Sequence, residues 1–314
     1  MALCIALGCA MGTSTSLAAM DGDEPAGQVL VIYPDIAEPY RSAFATIVQG
    51  IEERNRGHIL KLSIPADGQG APSLDELRQR HARAVIALGR SGMRVVSGLE
   101  RHTPVIVAGV LSVPEAEAQA TLVQSLAPEP AQLFAKLRAF VPQARRVVVV
   151  YDPRHNEWLM RQAREAARAQ GLELLALEAD STAGAWRRYQ DVLGGLNPRR
   201  DVLWLPQDNV TVDESTVLPW VLRESWSQGL VVFSSNVAHV RRGVLFALYP
   251  DNLELGRHLG STAQGLIGNA ASTPVRGLHP LRQVLTAVNT RTAEHLGLDL
   301  RASGQRIHLV LPEQ

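Results

Sequence analysis

Short apolar runs alternate with longer amphipathic segments along most of this chain, and that alternation leaves few folds open. The runs cover residues 29–33, 59–64, 84–88, 105–108, 146–151, 172–177, 202–205, 230–233 and 244–248. Several are apolar throughout, as parallel strands are when helices cover both faces of their sheet. The segments between them have helical length and period. In 157–170, for instance, Leu159, Ala163, Ala166 and Ala167 recur at three- and four-residue steps, and 183–193 reads the same way. Strands alternating with helices of this length predict βαβ units in parallel sheets.

A weak internal repeat divides the pattern. Val29-Leu-Val-Ile-Tyr33-Pro-Asp35 and Val147-Val-Val-Val-Tyr151-Asp-Pro153 both put Tyr, Asp and Pro at the carboxyl end of a strand, and both are followed by a helix and another strand. Two similar α/β lobes are expected, the first from near residue 27 and the second from near 125–145. The stretch 114–130, rich in Ala, Glu, Gln and Pro, reads as the crossing between them.

Composition narrows the function. Lys+Arg and Asp+Glu are 31 each, so there is no basic excess of the kind nucleic-acid binders carry, and no nucleic-acid partner is expected. No apolar stretch reaches the ~20 residues of a membrane span. The two cysteines, Cys4 and Cys9, both lie in the opening segment, which leaves the body without a catalytic thiol or a cysteine metal site. That opening reads as the end of a bacterial secretion signal. Ala6-Leu-Gly-Cys9 is an imperfect lipobox and would attach lipid at Cys9, whereas Ser16-Leu-Ala18 offers a cleavage site for a free product. Residues 1–26 are therefore expected to be leader and linker, and the protein to be periplasmic, touching a membrane only through such an anchor.

Ligands of open parallel sheets bind beyond the carboxyl ends of strands. Those ends carry Tyr33 and Asp35; Gly89, Arg90 and Ser91; Tyr151, Asp152 and Asn156; Gln207 and Asp208; Ser234, Ser235 and Asn236; and Tyr249. Most are small and polar and precede a helix, where free N–H groups can hold an anion. The tyrosines offer flat apolar surface with a polar tip. Each Ser, Asp or Asn reads equally well as an N-cap.

Sharper motifs do not survive. Gly89-Arg-Ser91-Gly-Met93 resembles a hydrolase elbow but has Met at the fifth position. The nine histidines are scattered without a paired metal spacing. Gly68-Gln-Gly70 lacks the third glycine of a dinucleotide loop, and no P-loop is present. Asp213 and Glu214 read as the acidic first turn of a helix starting near Thr211. Trp158, Trp186 and Trp226 read as packing. No catalytic group, metal or cofactor is expected.

From about Arg146 to Leu300 the chain resembles the ABC-transporter substrate-binding proteins of the type I periplasmic-binding fold, in the branch that includes tryptophan- and tyrosine-binding members. The matching pieces are Tyr151-Asp-Pro-Arg-His-Asn156-Glu157, Ala166-Ala-Arg-Ala-Gln-Gly171, Asp201-Val-Leu-Trp-Leu-Pro206-Gln-Asp208, Arg242-Gly-Val-Leu-Phe-Ala-Leu-Tyr249-Pro-Asp251, Leu255-Gly-Arg257 and Val288-Asn-Thr-Arg-Thr-Ala293-Glu-His-Leu-Gly297. The resemblance implies two lobes joined by a hinge, 27–123 with about 248–277 and 124–247 with about 278–314. It implies a small polar or zwitterionic solute, such as an amino acid, held between them for an ABC permease. Asp35, Ser91, Tyr151, Asn156, Asp208, Asn236 and Tyr249 would then hold the solute, with Asp208 or Asp35 taking a cationic group. The Gly-Gly-Asn segment that the family places before its second lobe is absent from 109–132. An interaction protein of the same fold, a periplasmic sensor or accessory subunit, is the competing expectation.

Overall fold

The structure, a computed structural model, describes residues 29–101, 103–268 and 276–312. The leader, Cys9 and the linker lie outside these residues. Five strands open the chain: β1 (Val29–Asp35), β2 (Ile59–Pro65), β3 (Ala84–Leu88), β4 (Val105–Val110) and β5 (Leu122–Pro128). Between them stand α1 (Tyr40–Arg54), α2 (Leu74–Arg78), α3 (Gly89–Val96) and α4 (Glu115–Ala118). The second half begins with α5 (Pro130–Phe140), β6 (Arg146–Tyr151), α6 (Pro153–Ala169), β7 (Glu173–Glu178), α7 (Thr182–Leu193) and β8 (Asp201–Leu205). It continues through α8 (Val217–Gln228), β9 (Val231–Ser234), α9 (Val237–Arg241), β10 (Phe246–Pro250) and α10 (Asn252–Ile267). The chain closes with β11 (Gly277–Leu281), β12 (Val284–Asn289), α11 (Thr290–His295) and β13 (Leu309–Leu311).

Two sheets result. The first runs β11-β5-β4-β3-β1-β2 and is parallel throughout. The second runs β13-β12-β10-β9-β8-β6-β7, with one antiparallel pair, β10 against β12. In each the opening strand lies between the second and the third, so the internal repeat is a repeat of topology. Alternate residues of each strand feed opposite faces. In β1, Val29 and Val31 pack under α1 and α10, while Leu30 and Ile32 pack with Leu77 of α2 and Val96 of α3. The second sheet has α5 and α6 on one face and α7 and α8 on the other.

Local chemistry explains the helix starts. Asp152 caps α6 by accepting the Arg154 N–H at 3.0 Å, and Pro153 follows at the first helical position. Ser181 caps α7. At the opposite, amino end of the strands of the second sheet, the buried Asp201 takes a two-pronged contact from Arg146, at 3.1 and 2.6 Å. Helices α1 and α10 approach so closely that a Cβ on Gly50 would lie 2.8 Å from the Arg257 nitrogen, and one on Gly256 would overlap the Ile47 carbonyl.

The chain passes between the sheets at three places: from β5 into α5, from β10 into α10, and from β11 into β12. These crossings are tied together. Glu129 N–H donates to the Leu281 carbonyl at 2.9 Å, Asp251 N–H to Gln283 at 2.9 Å, and Arg282 Nε to Glu129 at 2.9 Å. β5 belongs to the first sheet up to Pro128 and β11 up to Leu281. The stretch 114–130 is thus mostly α4 and β5, and the passage itself is confined to its last residues. Away from the crossings the two halves also touch. Ser112 Oγ donates to the His155 carbonyl at 2.7 Å, and Leu278 packs on the cluster that holds Trp158.

Candidate functional site

The loops at the carboxyl ends of the two sheets form two unlike walls. In the first, Asp35 is exposed and stands 3.5 Å from Arg41. Tyr33 is half-buried against the α1 layer. Gly89 and Gly109 both adopt positive φ, at 73° and 72°. Phe44 of α1 lies over both: its ring would be 3.4 Å from a Cβ on Gly89 and 2.9 Å from one on Gly109. Only glycine lets the strand ends turn there under the aromatic ring. Sequence reasoning missed Phe44. Its signal was the helical spacing from Tyr40, four residues earlier, on a helix that follows directly from the first strand end.

Helix α3 starts at Leu88-Gly89 with no side-chain cap and no acidic residue in its first turn, whereas at the start of α1 the Glu38 carboxylate accepts the Ser42 N–H at 3.3 Å and its hydroxyl at 2.7 Å. Ser91 is 6% exposed, yet its hydroxyl meets no partner among the described residues. Among the described residues no histidine holds it as a base would. Arg90 is exposed and makes no ion pair among the described residues.

The second wall is closed upon itself. Asp208 is buried and accepts four hydrogen bonds. Its Oδ1 takes the N–H groups of Val210 at 2.9 Å and Thr211 at 3.0 Å; its Oδ2 takes the Asp152 N–H at 2.7 Å and Asn156 Nδ2 at 2.9 Å. The expectation that Asp208 receives a cationic group is corrected by this geometry, because its lone pairs are taken by the protein. Asn156 is spent on the same contact. Asp152 is fully buried and meets Arg154 at 2.8 Å and His155 at 3.0 Å. Burial works to raise its pKa, but the bonds from Arg154 and His155 prevail and hold it below the usual carboxylate range.

Tyr151 is also corrected. It shares a face with Val147 and Val149, inside the α5–α6 layer. Its hydroxyl donates to Glu157 at 2.6 Å, so it offers no surface to a ligand, and burial with the Glu157 bond raises its pKa. Ser235 Oγ accepts from Trp204 at 3.0 Å. Asn236 caps α9 through Ala238. Ser234 Oγ lies 3.1 Å from the Leu205 carbonyl and 2.9 Å from His239 Nδ1. The side chains of Gln207 and Tyr249 have no hydrogen-bond partner among the described residues. Burial, and then Asp251, raises the Tyr249 pKa.

Ser234, His239 and Glu214 are placed like a hydrolytic triad, with His239 Nε2 3.8 Å from Glu214. The serine is sealed in the core, however, and burial, followed by Arg242, lowers the His239 pKa to about 4. The group is a structural knot rather than a nucleophile. The helix expected near Thr211 starts instead at Val217. Asp213 accepts the N–H and hydroxyl groups of Ser215 and Thr216, and those bonds hold its pKa at about 2. The tryptophans divide: Trp158 is core, Trp186 pairs with Trp220 at 5.0 Å, and Trp226 is largely exposed and stacked on His295 at 3.7 Å. Among the described residues no cluster of His, Cys, Asp or Glu could hold a metal ion, and no helix is long and apolar enough to cross a membrane.

Comparison with known proteins gives the fold. No family model matches the sequence, and no curated protein matches it. The structure is similar to that of CD0873 from Clostridium difficile, described as the ligand-free, open structure of a substrate binding protein with adhesive properties. The TM-score is 0.66 at 16% identity, over 92% of this chain and 100% of that one. It is also similar to an ABC domain in complex with L-Trp from Streptococcus pneumonia, with TM-score 0.55, 15% identity and coverage of 91% and 99%. A conserved domain protein from Vibrio cholerae gives 0.54, at 16% identity and coverage of 90% and 99%. Two helix-flanked, mainly parallel sheets with three linked crossings, matched over nearly the whole chain, define the type I periplasmic-binding fold. This chain has that fold, and its neighbours in it include proteins named for binding solutes.

Proposed function

We propose that this protein is a non-enzymatic, exported solute-binding protein that closes its two lobes on a small molecule and presents it to an ABC importer. One lobe comprises the first sheet with α10, the other the second sheet, and the three tied crossings form the hinge. The observation that carries the reading is the asymmetry of the strand-end loops. One wall spends its carboxylates and most of its polar groups on itself, and the other keeps the uncapped start of α3, a buried Ser91 whose hydroxyl has no partner among the described residues and an aromatic ring over two glycines. A wall that only packed would have its polar groups paired. Tyr33, Phe44, Gly89, Arg90, Ser91, Gln207 and Tyr249 are the residues assigned to the solute. Asp35, Asp152, Asn156, Asp208, Ser234, Ser235 and Asn236 support the loops that carry it. Export would follow from the leader, with lipid attachment at Cys9 as one form of the mature protein.

A second reading, a periplasmic sensor or accessory subunit without transport, draws on one observation. The β4–β5 connection carries only the four-residue α4. Beside it a groove of about 810 Å3 opens, lined by Met93, Arg94, Val107 and Val113. Thermal melting of the refolded, ligand-stripped protein against amino acids, organic acids, sugars, vitamins and nucleosides separates the two. A solute at 100 times its Kd adds about 2.7 kcal/mol, roughly several degrees for a chain of this size. A cooperative melt that no compound moves would favour the second reading.

A further inference from the structure

We infer that the two lobes carry a latch separate from their crossings, which holds α6 of the second lobe against the first and has to open before the lobes can swing apart. The inference goes beyond solute binding: it concerns the free chain and stands whether or not a solute is carried.

Two contacts make the latch. Ser112 Oγ donates to the His155 carbonyl at 2.7 Å. Leu278 of β11 packs both on the cluster that holds Trp158 and on the cluster that holds Val107 and Val123, so one side chain joins the two cores. The hydrogen bond cannot follow a rotation of the lobes, because both of its ends are fixed. Ser112 is 7% exposed. On one side of it the Leu111 carbonyl accepts the Ser125 hydroxyl, and on the other Val113 is buried in the cluster of Val107. His155 stands in the first turn of α6, with Nδ1 3.0 Å from the buried Asp152, and its carbonyl also accepts Trp158 Nε1 at 3.0 Å. An O–H···O bond is made at about 2.5–3.0 Å, so a separation of about 1 Å more abolishes it.

The interface is also built to part. Beside Leu278 and Trp158 lies a cavity of about 320 Å3, between Ala118 and Gln119 of the first lobe and Arg161 and Gln162 of the second. A continuous core has no voids of that size. The lobes here touch at points, and water can take over the Ser112 and His155 groups when they separate. A tie made in one lobe arrangement and lost in another biases the balance between the two, and with it the affinity for anything the cleft holds.

The test is double electron–electron resonance on the full chain without added solute. Spin labels go on Ala45→Cys of α1 and Gln190→Cys of α7, both exposed, with Cys4→Ser and Cys9→Ser. Ser112→Ala with Leu278→Ala is expected to broaden the distance distribution at least twofold or to add a second resolved distance. Ser112→Ala alone is expected to change it in the same direction, and Ser112→Thr, which keeps the hydroxyl, to leave it as in the parent. A parent-like distribution in the double variant overturns the latch. If the double variant does not melt cooperatively, Ser112→Ala decides, since it removes the bond and leaves both cores whole; a parent-like distribution there overturns the latch too. None of these outcomes bears on whether a solute binds, which the melting panel reads.

Discussion

The Asp208 carboxylate accepts the backbone N–H of Asp152 at 2.7 Å, across 56 positions of chain. The end of β8 thereby fixes the entry to α6, and the same oxygen draws in Asn156 from the first turn of that helix. A residue that looks, in sequence, like an acid waiting for a ligand is the clasp of the second lobe.

Asp208→Ala should therefore lower stability rather than alter ligand choice. It leaves four donors without an acceptor, and each unsatisfied buried group costs about 1–3 kcal/mol before relaxation and water entry. A net loss of about 3 kcal/mol is expected in urea unfolding, with the slope unchanged. A loss below about 1 kcal/mol would mean that these bonds do not hold the wall.

His239 makes the fold acid-sensitive. Its folded pKa, lowered to about 4 by burial and then by Arg242, lies below its ordinary 6.5. Its neutral form contacts Ser234, with Asn236, Glu214 and Arg242 around it. Above pH 6.5 both folded and unfolded chains hold it neutral and the stability is complete. As the pH falls from 6.5 to 4 only the unfolded chain takes up the proton, and about 3 kcal/mol is lost at about 1.4 kcal/mol per pH unit. Unfolding free energies measured across that window should fall less steeply in His239→Gln. Some slope should persist, because burial also lowers His258 and His308. Equal slopes in variant and parent would remove His239 from this role.

Gly256→Ala should disrupt the α1–α10 contact. The added methyl would meet the Ile47 backbone, which cannot swing aside as a side chain can. Overpacking of this kind costs about 1–3 kcal/mol, read as a fall in melting temperature. Gly194→Ala is the control: its φ is −65° and a Cβ there meets nothing within 4 Å. It should be neutral or slightly stabilising.

The apolar runs made the parallel strands legible, because a strand covered on both faces has little choice of residue. β11, β12 and β13 were not visible in the same way. β11 reads Gly-Leu-His-Pro-Leu, mostly half-buried, and β13 has three residues. Their pairing depends on strands laid down far earlier in the chain, which no local pattern encodes. The site was legible as a place but not as a set of roles. Residues 33, 89–91 and 249 stand at strand ends as their motifs suggest. The Tyr151 side chain follows the two-residue period of Val147 and Val149 into the core, and that period was there to be read. The donors that occupy Asp208 come from two other segments, and only the folded chain brings them together.

Lobe order also has a consequence for assembly. The face of the first sheet that carries Val29, Val31 and Ile86 is finished by Leu255, Leu259 and Ala263 of α10, and its outer edge by β11. Arg257 meets Glu53 across 204 positions of chain. A nascent chain ending at Pro250 has every strand of the first sheet but one and still lacks one of the two helices that cover that face. The lobe begun first is thus completed nearly last. Closing so long a loop slows folding and leaves that face half covered in the meantime.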